Sequence, residues 1–287
     1  MQRPPMLSAS MALVALVACS DGAGAPQGEP VATVASAITG GTRDSGDDAV
    51  VMLGQVGQAV CTGTIIAPTV VATAAHCLVF PPVTIRVGSG AATSRSIRVA
   101  AVHQHPLYSG QSFAHDVGVI ILAEAANIPA VALHEGDLTD ALDGRAVRVV
   151  GFGVSDTTKE TAGEKMQGTS VVQAIEADVI KIVPSPAQPC RGDSGGPVLV
   201  RDGDVERLIG ITSRGDGTCS AYARAIRMDL YRDFLSEEID SAAPPADPGS
   251  GCALAGAPAP WNASRSGVVL VIAWCAALLM RRRRDAT

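Results

Sequence analysis

Cys190-Arg191-Gly192-Asp193-Ser194-Gly195-Gly196-Pro197 is the most informative stretch of the chain. Glycines beside a serine let the backbone turn sharply with no Cβ in the way, so that N–H groups converge on one point. A developing oxyanion needs such a pair of N–H groups. The six residues from Gly192 to Pro197 match by chance roughly once in tens of millions of positions, so an ordinary turn is a poor account of them. Two other islands precede this one, Thr73-Ala74-Ala75-His76-Cys77 and His115-Asp116-Val117-Gly118-Val119. Singly they say little: a lone His76 reads as a satisfied core or surface histidine, and a lone Asp116 as a turn residue before a strand. Together the three supply a set. Acyl transfer to a serine requires a base that takes the hydroxyl proton near neutral pH, and a buried acid that holds this base in one tautomer. Ser194, His76 and Asp116 match those roles.

Around the islands, short apolar runs are broken by Gly, Pro, Asn and Asp, which is the pattern of strands joined by turns. Candidate strands are 50–53, 61–66, 70–73, 84–87, 97–102, 117–122, 147–151, 169–175, 197–200, 207–212 and 222–226. So many short strands imply a barrel or a sandwich. Residues 229–239, with Leu230, Phe234 and Leu235 near helical spacing, are expected to form the one helix of the body. Composition agrees, since 30 Gly and 18 Pro with only 17% charged residues exclude a coiled coil. A net charge of −6 argues against nucleic acid as a partner.

Both ends read as appendages. Arg3 precedes an uncharged apolar run from Met11 to Ala18, the layout of a secretory signal, so 1–18 is expected to direct export. The run ends Leu16-Val17-Ala18-Cys19, which resembles a bacterial lipobox with Cys19 as the lipid-bearing residue; an ordinary small-residue cleavage site is the other reading. At the other end, 241–266 is a Pro/Ala/Gly-rich linker. An uncharged apolar stretch, 267–280, and the arginines of 281–287 follow it, a stop-transfer arrangement. The stretch is short for a span, which needs about 20 residues to cross roughly 30 Å of hydrocarbon. Cys252, apolar helix and Arg cluster together resemble the C-terminal sorting tags of myxobacterial-type surface proteins, with a plain membrane anchor as the alternative. The expected location is the membrane or cell surface of a Gram-negative bacterium, with release after processing also open.

Ala74-Ala75-His76-Cys77, Asp116-Val117-Gly118-Val119 and Gly192-Asp193-Ser194-Gly195-Gly196-Pro197 resemble the trypsin/chymotrypsin family of serine peptidases over residues 38–240. The resemblance implies an all-β fold of two packed six-stranded antiparallel barrels with a C-terminal helix. It also implies a catalytic set of His76, Asp116 and Ser194, with an oxyanion hole at Gly192 and Ser194. Such an enzyme needs no cofactor or metal, takes protein or peptide substrates, and is expected here as a monomer. The intervals between the three residues imply trimmed surface loops. Ile38-Thr39-Gly40-Gly41 resembles the family's mature N-terminus, which makes 19–37 a propeptide. Freed Ile38 would then pair with Asp193, because either charge buried alone would be expensively desolvated. Ala37 precedes the cut, where the family often has Arg or Lys, so the activating protease is expected to prefer a small residue.

Seven cysteines suit an exported protein. By resemblance Cys61 pairs with Cys77, closing a loop of about 16 residues worth roughly 3 kcal/mol by loop entropy, and Cys190 pairs with Cys219. Cys19, Cys252 and Cys275 remain in the appendages. Gln188, by motif position, stands at the base of the primary pocket, where trypsins carry an acid; a neutral amide cannot pair with a cation. Ser213-Arg214-Gly215 matches the strand that holds the substrate backbone, but Arg214 stands where the family usually has Trp. Arg191 and Arg214 either favour acidic substrate side chains or are merely solvated. Rival functions are an active endopeptidase, a binding module on an inactive peptidase fold, and an esterase. The last would carry a Gly-x-Ser-x-Gly elbow and the order Ser, acid, His, which this chain lacks.

Overall fold

The computed structural model describes residues 38–54, 61–90, 93–153 and 163–243. Its strands are β1 (Thr42–Arg43), β2 (Val50–Leu53), β3 (Cys61–Ala67), β4 (Val70–Thr73), β5 (Thr84–Val87), β6 (Arg95–Gln104) and β7 (Gly118–Leu122). There follow β8 (Ala132–Leu133), β9 (Ala146–Gly151), β10 (Met166–Ile175), β11 (Val179–Pro184), β12 (Pro197–Asp202), β13 (Val205–Gly215) and β14 (Ala223–Arg227), and then the helix α1 (Arg232–Ala242).

β2, β3, β4, β7, β6 and β5 pair antiparallel in that order, and β5 returns to β2 through Leu53 opposite Ile85, which closes a barrel. β9, β10, β11, β14, β13 and β12 form a second closed ring, sealed where Val198 of β12 faces Val149 of β9. β1 pairs with the start of β10, and β8 runs parallel beside β13. The expected two six-stranded barrels are therefore present, with a single α-helix, C-terminal to them, among the described residues.

Alternation explains how short strands hold two barrels together. Val51 and Leu53 point into the first barrel, with Ile65, Val71, Ile85 and Ile120. Their neighbours Val50 and Met52 point the other way, into a cluster shared by both barrels with Val70, Val119, Val150 and Leu199. Successive side chains on a strand face opposite sides, and here both sides are buried. That is why these runs read as continuous apolar stretches. Each fully buried Val, Leu or Ile is worth about 1.5–3 kcal/mol, so the shared cluster fixes one barrel against the other.

Three expectations are corrected. β11 was not expected as a strand: its apolar run carries Lys181 and ends at Pro184, and prolines demote a strand reading. It is a full member of the second ring, between β10 and β14. β1 and β8 span two residues each, too few for periodicity to show. The helix starts later than residue 229, because Met228–Tyr231 is a 3-10 turn; there the Asp229 carboxylate accepts from Arg227 and from the Leu138 N–H. It also runs to Ala242, past the end expected at 239. The appendages at 1–37 and 244–287, including Cys19, Cys252 and the apolar stretch, lie outside the described residues. Among the described residues no helix is long and apolar enough to cross a membrane.

Candidate active site

Strand register brings the first two islands together. β4 and β7 pair with Thr73 opposite Gly118, so the 3-10 turn after β4 and the residues before β7 leave the barrel at the same end. His76 lies on that turn, and Asp116 immediately precedes β7. Asp116 is fully buried. Its Oδ1 accepts the His76 N–H at 2.8 Å, and its Oδ2 lies 2.8 Å from His76 Nδ1 and accepts the Ser213 hydroxyl at 2.6 Å. Burial alone would push the Asp116 carboxyl up, but the hydrogen bonds and charge from His76 and the bond from Ser213 outweigh it and hold the pKa below the ordinary value. An ionised carboxylate only accepts hydrogen bonds, so Nδ1 carries a proton, and in the neutral imidazole Nε2 keeps its lone pair.

Ser194 arrives from the second barrel, in the turn before β12. Its carbonyl accepts the Thr62 N–H at 2.8 Å, and Cys77 Sγ lies 3.6 Å from the same oxygen. The Thr62 hydroxyl donates to Gly192 O at 3.1 Å. The chain crosses here with no room to spare: a Cβ on Gly195, whose φ is +84°, would lie 2.1 Å from Thr62 O. Gly192, at φ +91°, takes the left-handed backbone that the turn requires. The N–H groups of Asp193, Gly195 and Gly196 bond back into the fold, whereas those of Gly192 and Ser194 have no partner among the described residues.

Asp193 anchors this loop from inside. It is 1% exposed and accepts the N–H groups of Cys190 at 2.8 Å, Gly153 at 2.9 Å and Ile38 at 3.0 Å. Burial pushes its pKa up to about 6, against the pull of those three N–H groups. Disulfides join Cys61 to Cys77 and Cys190 to Cys219, as expected; the first closes the loop that carries His76, and the second ties the Ser194 loop to the segment after β13.

A cavity of about 200 Å³ opens beside Ser194, walled by Cys190, Arg191, Ser213, Arg214, Gly215 and Asp216 among others. Residues 38–235 match the family model for trypsin. The chain belongs to the trypsin family. Over 215 residues it is 30% identical to a trypsin of Saccharopolyspora erythraea, covering 65% of this chain and 90% of that one. It is 29% identical to human transmembrane protease serine 5, over 55% of this chain and 41% of that one. Glucanase inhibitor protein 3 of Phytophthora infestans is 26% identical over 55% of this chain and 69% of its own. The fold is similar to that of neuropsin, a serine protease expressed in mouse brain, with a TM-score of 0.59 over 70% of this chain and 99% of that one at 22% identity.

In this family member three of the four substrate-binding residues expected from the sequence line the cavity, and Gln188 stands behind its wall. Ser213, Arg214 and Gly215 line the cavity, and Ser213 also spends its hydroxyl on Asp116. Gln188 is 1% exposed and is not among the lining residues; its Nε2 donates to Asp216 Oδ1 at 2.9 Å, while its Oε1 is buried without a partner. Asp216 is the carboxylate of the cavity wall, and sequence reasoning missed it. It accepts the N–H groups of Thr218, Ser220, Ala221 and Tyr222 and the Thr218 hydroxyl besides Gln188. These bonds hold its pKa well below the ordinary range, against the upward push of burial. Asp216-Gly217-Thr218 is an Asx-turn sequence, the one signal that could have marked it. Phe113 was missed as well: its ring stands edge-on to His76 at 5.6 Å and lies under the Arg214 guanidinium at 5.7 Å.

Proposed function

We propose that this trypsin-family protein is a serine endopeptidase, made as an exported precursor and displayed at the surface of a Gram-negative bacterium. One observation carries the reading: the buried Asp116 carboxylate holds His76 Nδ1, on an island adjoining Ser194. In the proposed reaction Ser194 Oγ attacks the substrate carbonyl as His76 Nε2 takes its proton. The oxyanion is received by the two unpaired N–H groups of Gly192 and Ser194, a contribution typically of about 3–4 kcal/mol per donor removed. His76 then protonates the departing amine, and water repeats the sequence on the acyl-enzyme. A binding module on an inactive fold has no use for a buried acid orienting His76.

Activation fits the same frame. A protease cutting after Ala37 would turn the Ile38 N–H that faces Asp193 into an ammonium, which gives that buried carboxylate its counter-charge. Lipidation at Cys19, sorting through Cys252 and the apolar tail, and a monomeric state complete the proposal. The primary pocket is read as non-tryptic, since Gln188 is neutral and Asp216 already accepts six donor groups. Hydrolysis of a protein substrate by the processed chain tests the reading. Ser194→Ala and His76→Ala should abolish it to a similar degree, because members of a triad act as a unit; undiminished turnover in either variant would refute it.

A further inference from the structure

Arg214 is the unusual feature of the cavity. Its guanidinium covers the Phe113 ring, and its Nη1 is buried with no hydrogen-bond partner. Among the described residues neither Arg214 nor Arg191, the other cation of the wall, enters an ion pair. Guanidinium donors left unsatisfied out of water are costly, and a carboxylate matches their planar fork with two parallel hydrogen bonds. The one carboxylate in the wall cannot serve, because Asp216 is occupied by the turn it closes and by Gln188. Arg214 Nη1 is therefore free to take an acceptor from a bound ligand. Arg214 reaches toward Phe113, and Phe113 stands against His76, so this cation lies on the side of the cavity nearest the base.

We infer that Arg214 is a specificity-determining residue that selects an acidic side chain on the acyl side of the scissile bond, at the residue whose carbonyl is attacked or the one before it. This rests on the peptidase reading for its meaning in catalysis, but its physical content is carboxylate recognition and can be measured without turnover.

The test uses the full-length chain with export and processing intact, in two readouts. In the first, peptide substrates differ only by Glu, Gln or Lys at one of the two positions. The expected kcat/KM for Glu exceeds that for Gln at least about tenfold in one series, as a charged pair left unmet costs more than about 1.4 kcal/mol. Arg214→Gln brings the ratio near one, Arg214→Lys keeps part of it, and Arg191→Gln lowers it less. In the second, fluorescein-labelled Glu and Gln peptides bind the Ser194→Ala protein, followed by anisotropy. Tighter binding of the Glu peptide that is lost on adding Arg214→Gln supports the inference even if the chain cleaves nothing. Equal binding of the two peptides, or a Glu preference that persists in Arg214→Gln, overturns it whether or not the peptidase reading stands.

Discussion

The N–H of Ile38 lies 3.0 Å from Oδ2 of Asp193, a buried contact between residues 155 apart in the chain. It places the expected first residue of the processed protein against the acid that braces the Ser194 loop. In the uncleaved chain that donor is a neutral amide.

A pH dependence follows. Burial raises the Asp193 pKa from 3.8 to about 6, so between those values the folded uncleaved chain holds a proton that the unfolded chain releases. Its stability should fall as pH rises through that window, by about 3 kcal/mol in all. A cationic Ile38 terminus favours the carboxylate and removes this slope. Asp44, also raised to about 6 chiefly by burial, adds the same slope to both forms, so the quantity to measure is the difference between cleaved and uncleaved chains in urea unfolding from pH 4 to 7. Parallel curves would contradict the Ile38–Asp193 account of activation.

Rate should depend on pH through the base. A protonated imidazole cannot accept the Ser194 proton, so kcat/KM should rise with pH and then level off. Asp116→Asn, which removes the acceptor that fixes Nδ1 as the donor, should lower kcat by about 10⁴-fold. A flat profile from pH 5 to 8 would count against His76 as the base.

Much of this was legible in the sequence, and the remainder has a physical reason. The strands of the first barrel could be read from their apolar runs because turn residues bound each one, as Pro68 and Thr69 do between β3 and β4. β11 could not, since its run carries Lys181 and meets a proline. The Ser194 island stood out because it concentrates a rare combination in a few adjacent residues, and those of His76 and Asp116 gained their meaning beside it. Phe113 under Arg214 and Asp216 beside Gln188 are contacts between segments distant in sequence, the first set by how the loop before β7 approaches β13, the second by how the segment after β13 meets the stretch between β11 and β12. No local pattern encodes such an approach.

Cleavage after Lys or Arg should be poor. Gln188 offers no charge, and the Asp216 lone pairs are taken by its own turn and by Gln188, so a cation entering the cavity would lose water without gaining a free counter-charge. A library varied at the residue before the cut measures this, and strong preference for Arg would show that Asp216 is freer than its hydrogen bonds indicate.

Retention at the membrane should depend on the C-terminal segment. If processing removes residues before Ile38, any lipid on Cys19 departs with them, because the four cysteines of the body are already paired. Deleting residues 251–287 should release active protein into the medium, while Cys19→Ser should leave the mature form at the surface. Mature protein that stays in the membrane fraction after the deletion would assign retention elsewhere.

The central claim is that Ser194 is a nucleophile activated by His76. Reaction of the processed protein with a fluorophosphonate, followed by mass spectrometry of the modified peptide, tests it most directly. The account predicts one adduct, on Ser194, absent from Ser194→Ala and strongly slowed in His76→Ala. An unmodified Ser194, or equal labelling of wild type and Ser194→Ala, would contradict it.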